Sequence, residues 1–225
     1  LNIDPNETAK QSAIGLVRGA LGAVPYVGTL LIETIFDTRS RIKLARLNRF
    51  FELFAELLNR KTLMQIPQHA SDEFSDLLEN ILGIVVRTRS DDRLRLYSAI
   101  VHGNLNSDTS QIIESEIFTN ILASLTEFEL ILLTKLHATT ENLSAAEQHP
   151  DHRGIKPVHI NKEDTFILGL ATSDFLTTFD ILISKGLVHD DGIGRLGAPY
   201  REFIAITSVG QKLMDFVEKF VEEKK

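Results

Sequence analysis

Residues Leu182 to Leu213 read LISKGLVHDDGIGRLGAPYREFIAITSVGQKL, and two interpretations of this stretch compete. Gly192, Gly194 and Gly197 spell G-x-G-x-x-G, the pattern that cradles a dinucleotide pyrophosphate. Such a site needs a strand before the glycines and a helix immediately after them, because the helix N-terminus stabilises the phosphates. Here Gly197 is followed by Ala-Pro-Tyr and then by Arg201–Ile206, which alternates as a strand. Asp190 and Asp191 precede the glycines and would repel phosphate. The stretch therefore predicts a helix stopped at Gly186, a strand at 187–189, a turn-rich tip, a second strand, and a helix capped by Thr207 or Ser208. The glycines then serve a hairpin tip, and no cofactor is expected.

Working upstream, Ser124-Leu125-Thr126-Glu127 matches the capping box S-x-x-E ahead of the apolar run FELILLTKLH. A polar loop follows from Ala138 to Pro157, then a short helix at 163–171 and another helix capped by Thr172 or Ser173. The order helix, helix, helix, strand, loop, strand, helix resembles the winged helix-turn-helix fold. The resemblance rests on Leu182, Lys185–Val188 and Ile206–Leu213 and spans about residues 120–222. Winged helices bind DNA, RNA or protein, so the fold alone does not choose among them. In a DNA-binding member the third helix enters the major groove and the wing touches phosphate. The third helix here offers Asp174, Asp180 and only Lys185, and the wing offers Arg195 and Arg201 against Asp190, Asp191 and Glu202. That balance suits phosphate poorly. Protein contact or a structural cap is the better-supported use, with Arg195 and Arg201 as the wing-tip contact residues.

The N-terminal half reads as helices throughout. Residues 7–22 are helical in pattern but rich in small residues, Pro25 restarts the chain, and 29–36 begins another helix. From Asp37 to about Lys61, Leu44, Leu47, Phe51, Phe54 and Leu58 recur on one helix face, widened by Phe50, Leu53 and Leu57. Such breadth predicts a central helix packed on several neighbours, and it would serve a dimer equally well. Further helices are expected at 72–88, from the Ser90 cap to Gly103-Asn104, and at 109–123.

Ala13–Ile32, AIGLVRGALGAVPYVGTLLI, is apolar and glycine-rich, with Arg18 its only charge. Gly15 and Gly19 form G-x-x-x-G, which permits close helix packing. The charge-free run from Gly19 to Ile32 is too short for an ordinary spanning helix and is interrupted by Pro25. A tight buried helical hairpin is the favoured reading, and a membrane-seeking hairpin is the functional one. The neighbouring cations Arg39, Arg41, Lys43, Arg46 and Arg49 support the latter, since Arg39, Lys43 and Arg46 share a helix face as a membrane-surface helix requires. The same cluster could instead meet acidic groups on the protein's own surface or on a partner.

The 225-residue chain is 43% apolar, which is enough for a real core in one or two domains. It has no Cys, which excludes disulfides, thiolate metal sites and a cysteine nucleophile. Its net charge is −7, and most of the acidic excess falls in the C-terminal half, which argues against a nucleic-acid footprint. The chain begins at Leu1, not Met, and is read as trimmed or as a fragment whose N-terminal signal could be missing. His149, Asp151, His152 and His159 lie in a Pro-punctuated loop without helical support, so a solvated loop is expected there and no metal site. No H-E-x-x-H, P-loop or G-x-S-x-G occurs, and no catalytic residues are assigned.

Two longer stretches carry a family resemblance. Gly22–Gly28 reads GAVPYVG and Val86–Leu105 reads VRTRSDDRLRLYSAIVHGNL, with a long basic amphipathic helix between them. Together they resemble the bacterial Abi-alpha (abortive infection alpha) family, and the tail after Ser124 is compatible with it. The resemblance implies a role in bacterial anti-phage defence and carries over no active site. The expected architecture is mainly α, with an N-terminal helical bundle over 1–120 and a winged helix-turn-helix-like domain with a small β-hairpin over 121–225. The expected function is a non-enzymatic cytoplasmic defence protein acting through a protein partner or self-association, with the membrane surface as a second partner. The alternative is a winged-helix transcription regulator that reads DNA.

Overall fold

The computed structural model describes residues 40–58, 71–142, 158–159, 172–190 and 203–222, together with Gly15 and Gly19. The chain is mainly helical, with a small antiparallel sheet near the C-terminus. The elements are α1 (Ser40–Leu57), α2 (Asp72–Val85), α3 (Asp91–Gly103), α4 (Thr109–Ser124), α5 (Glu127–Asn142), β1 (Val158–His159), α6 (Thr172–Ser184), β2 (Val188–Asp190), β3 (Phe203–Ile206) and α7 (Ser208–Glu222). It divides into two compact units, Leu1–Ile121 with Phe220–Lys225, and Leu122–Lys219. The expected helix at 163–171, the wing with Arg195 and Arg201, and His149, Asp151 and His152 lie outside the described residues. So does the glycine-rich hairpin, apart from Gly15 and Gly19. Those two are helical and exposed.

In the first unit α1 packs on α2 and, most extensively, on α3. Leu47, Phe50, Phe51, Leu53 and Phe54 are buried, which is the broad face expected of a central helix. Phe50 and Phe54 stack at 6.1 Å, and Phe50 meets Phe51 edge-on at 5.7 Å. The face starts later than the periodicity implies, since Leu44 remains exposed. Across the seam, α3 presents Tyr97, Ser98, Ile100 and Val101, all fully buried. Ser98 is small enough to let the backbones approach. Its hydroxyl donates to Leu94 O at 2.8 Å within α3 and reaches Phe50 O on α1 at 3.4 Å.

The helix ends follow local chemistry. Ser71 and Ser90 cap α2 and α3, accepting from the Phe74 and Arg93 amides. Glu73, in the first turn of α2, has its carboxyl held below the usual range by its own backbone amide and by Ser71. Asn104 closes α3, donating to Ile100 O at 2.8 Å and accepting from Ser115 on α4 at 3.0 Å.

The second unit corrects one boundary. The capping box that opens α5 is Thr126-x-x-Glu129, two residues past the S-x-x-E pattern at Ser124. The Thr126 amide donates to Glu129 Oε2 at 2.8 Å and the Glu129 amide to Thr126 Oγ1 at 3.3 Å. Ser124 cannot serve because it is still in the last turn of α4. The sheet also gains a strand: β1, β3 and β2 lie side by side in that order, both pairings antiparallel. β1 is only two residues long, too short to leave an alternation in the sequence. As the middle strand, β3 buries Ile204, Ala205 and Ile206 in succession.

The K-G-L-V and I-T-S-V-G stretches interlock. Gly186 sits at φ 70°, and the Gly186 and Leu187 amides donate back to Ile183 O and Leu182 O, a Schellman stop for α6. Thr207 then caps α7 and accepts from the Gly210 amide at 3.0 Å. Its own amide donates to Leu187 O at 3.1 Å and its hydroxyl to Gly186 O at 2.7 Å. A Cβ on Gly210 would overlap the Leu187 carbonyl oxygen. Gly210→Ala is therefore expected to lower unfolding stability by about 2 kcal/mol or more in urea. Gly83→Ala, in a helix interior where a Cβ meets nothing within 4 Å, is expected to raise it by about 0.5–1 kcal/mol.

Candidate functional site

The basic segment of α1 is divided between surface and fold. Arg39 lies outside the described residues, Arg41 is exposed and Lys43 is half-buried. Arg46 donates from Nη1 to Val86 O at 2.6 Å. Val86 is the C-cap of α2, so the guanidinium satisfies a carbonyl at the negative end of that helix. Arg49 grips Asp91 with two parallel bonds, Nε to Oδ1 at 2.7 Å and Nη2 to Oδ2 at 2.8 Å, and reaches Glu52 at 3.1 Å. Asp91 is the first residue of α3, where the helix dipole also favours a carboxylate. The Arg49 hydrogen bonds hold Asp91 below the usual carboxylate range and raise Arg49 above its own. Arg95 stands 3.7 Å from the same carboxylate. Two of the four α1 cations, Arg46 and Arg49, thus clasp the α2–α3 connection. Both of their contact points, Val86 and Asp91, fall inside the VRTRSDDRLRLYSAIVHGNL stretch.

In the second unit the buried Glu129 and His137 each anchor a polar group that the sequence did not single out, and Asp190, expected at the base of the wing, is also buried at the end of β2. Glu129, almost fully buried, accepts from Lys185 Nζ at 2.8 Å as well as from the Thr126 amide. Lys185 also donates to Ser124 O at 2.7 Å. The terminal cation of the α6 segment is therefore turned inward. A serine-box reading hid this arrangement by assigning Glu129 to the apolar run. His137 on α5 is buried beside three α7 side chains: Gln211 Nε2 lies 2.6 Å from Nε2, Asp215 3.5 Å from Nε2, and Glu218 3.1 Å from Nδ1. This geometry fits an Nδ1–H that donates to Glu218 and an Nε2 that accepts from Gln211. The two carboxylates face opposite sides of the ring and do not converge on one point. The only sequence signal for His137 was its place at the end of an apolar run. Among the described residues no group of three His, Cys, Asp or Glu is placed to hold a metal ion. His159 of the histidine loop falls in β1, paired with Phe203.

Among the described residues, most of the exposed positions on α5 and α6 are neutral or apolar. On α6 the exposed stripe is Thr177, Ile181 and Ser184, with Ile181 at 37% exposure. On α5 it is Glu127, Phe128, Ile131, Thr134, Lys135 and Ala138, with Phe128 at 57% and Ile131 at 47%. No single helix among the described residues is long and apolar enough to cross a membrane.

Comparison with family models, with curated proteins and with solved structures finds no match to this chain.

The Glu129–Lys185 pair gives a stability prediction. Lys185→Ala leaves a buried carboxylate with the Thr126 amide but no cation, and is expected to cost about 2 kcal/mol in urea unfolding. Lys212→Ala, at an exposed position of α7, is expected to change stability by less than about 0.5 kcal/mol.

Proposed function

We propose that this chain is a non-enzymatic bacterial anti-phage defence protein, of the abortive-infection kind, that works in the cytoplasm by binding other proteins through a winged-helix-like second unit. The defence role follows from the resemblance of Gly22–Gly28 and Val86–Leu105 to the Abi-alpha family. The helix, strand, helix, strand, strand, helix order and the sheet order β1-β3-β2 support the winged-helix reading.

One observation carries the choice of partner. In this reading α6 is the recognition helix, and its sequence from Thr172 to Ser184 holds no Lys or Arg. Lys185, the cation that follows it, is spent on Glu129 and Ser124. A helix that enters the major groove needs donors for phosphates and base edges. The stripe of Thr177, Ile181 and Ser184 beside Asp180 suits a protein surface far better. The membrane role loses support for a related reason. Arg46 and Arg49, two of the cations that a membrane-surface helix would offer to anionic lipid, are engaged in the fold.

In cells challenged with phage, Ile181→Asp is expected to abolish protection while leaving the unfolding midpoint within a few degrees of wild type. Full protection by that variant would remove α6 from the contact. The DNA-binding alternative predicts a low-salt gel shift on the gene's own promoter region that Arg195→Ala and Arg201→Ala weaken. The protein-contact reading predicts no shifted complex.

A further inference from the structure

The exposed stripe of α5 is self-complementary, and we infer that it is a two-fold dimer interface between copies of this chain. Glu127, Phe128, Ile131, Thr134, Lys135 and Ala138 follow the spacing of one helix face, and all are exposed. The opposite face carries the buried Leu132, Leu133, Leu136 and His137. Phe128 and Ile131 are large apolar groups held more than 45% open. A single exposed apolar residue needs no explanation, but adjoining ones at helical spacing mark a contact surface.

Symmetry selects the occupant. An interface with a two-fold axis places the same patch on both subunits, so residue i meets j and j meets i. When two α5 helices run antiparallel about an axis through Ile131, position n lies opposite position 262 − n. Ile131 then meets Ile131 of the second copy on the axis. Glu127 comes opposite Lys135, and Lys135 opposite Glu127, giving two equivalent ion pairs. Phe128 comes opposite Thr134 and packs beside the central isoleucines. The acid and the base sit four residues to either side of the apolar centre, which is the arrangement an antiparallel homodimer requires. A parallel pair would set Glu127 on Glu127 and Lys135 on Lys135.

One helix face of this length buries less than the roughly 1,200 Å² of a stable complex. The dimer is accordingly of the weak, concentration-dependent class. This inference goes beyond the proposed function, whose partner contact is α6, and it is tested separately. Loss of the dimer would leave the α6 contact and the phage assay untouched.

The experiment is sedimentation equilibrium of the full chain at low salt, for wild type, Glu127→Lys, Lys135→Glu, an equimolar mixture of the two, and Ile131→Asp. Wild type is expected to dimerise. Each single charge variant sets like charges opposite each other and is expected to weaken association at least tenfold. The mixture restores opposite charges at both pairs and is expected to give a heterodimer at least as strong as the wild-type dimer. Ile131→Asp is expected to stay monomeric. A wild type that remains monomeric at 500 µM overturns the inference, as does a mixture that associates no better than its components.

Discussion

Arg49 and Asp91 form the contact that sets the register of α1 against α3 in the first unit. α1 packs on both α2 and α3, and its aromatic face would tolerate some sliding along α3. The bidentate grip on Asp91, the Arg46 bond to Val86 O and the close approach of Ser98 to Phe50 O fix its position. Each group has a local reason to be charged or polar. Arg46 meets the carbonyl end of α2, and Asp91 sits at the amide end of α3. The connection between two helices, where backbone groups lack intrahelical partners, is thus the anchor for a third helix.

The same economy governs the second unit. Glu129 closes its own helix start and also holds Lys185, so one carboxylate serves a cap and a tether at the end of α6. Thr207 both caps α7 and joins the Gly186–Leu187 turn. Cations that a reader of the sequence would offer to phosphate are used inside the fold. The exposed faces of α5 and α6 carry the apolar groups Phe128, Ile131 and Ile181, and those faces are proposed for protein contact.

Much of the fold was legible because its signals are local. The Ser90 cap, the Gly103-Asn104 end, the Gly186 stop and the broad face of α1 each follow from short-range pattern. The capping box was displaced because Ser124 and Thr126 both offer a hydroxyl three residues before a glutamate, and only the end of α4 decides between them. β1 escaped notice because two residues cannot show an alternation. The partners of Arg46, Arg49 and Lys185 lie 40, 42 and 56 residues away in sequence, where no periodicity reaches. A run of basic residues looks the same whether its partners are lipids or the next helix. The α5 stripe was visible as an apolar run, but its exposed side emerged only when the opposite face was seen to be buried.

The most direct test of the account is a double-mutant cycle on Arg49→Ala and Asp91→Ala, measured by urea unfolding at pH 7 and again in acid. An internal clasp predicts a favourable coupling of about 0.5–1 kcal/mol at pH 7 and low salt, reduced in 1 M salt. The folded-state pKa of Asp91 is depressed, so its contribution is fully present above the ordinary aspartate range and is lost as pH falls through the lowered value. The coupling should therefore vanish in strong acid. Zero coupling at pH 7, with both single variants as stable as wild type, would contradict the account and return the α1 cations to the surface.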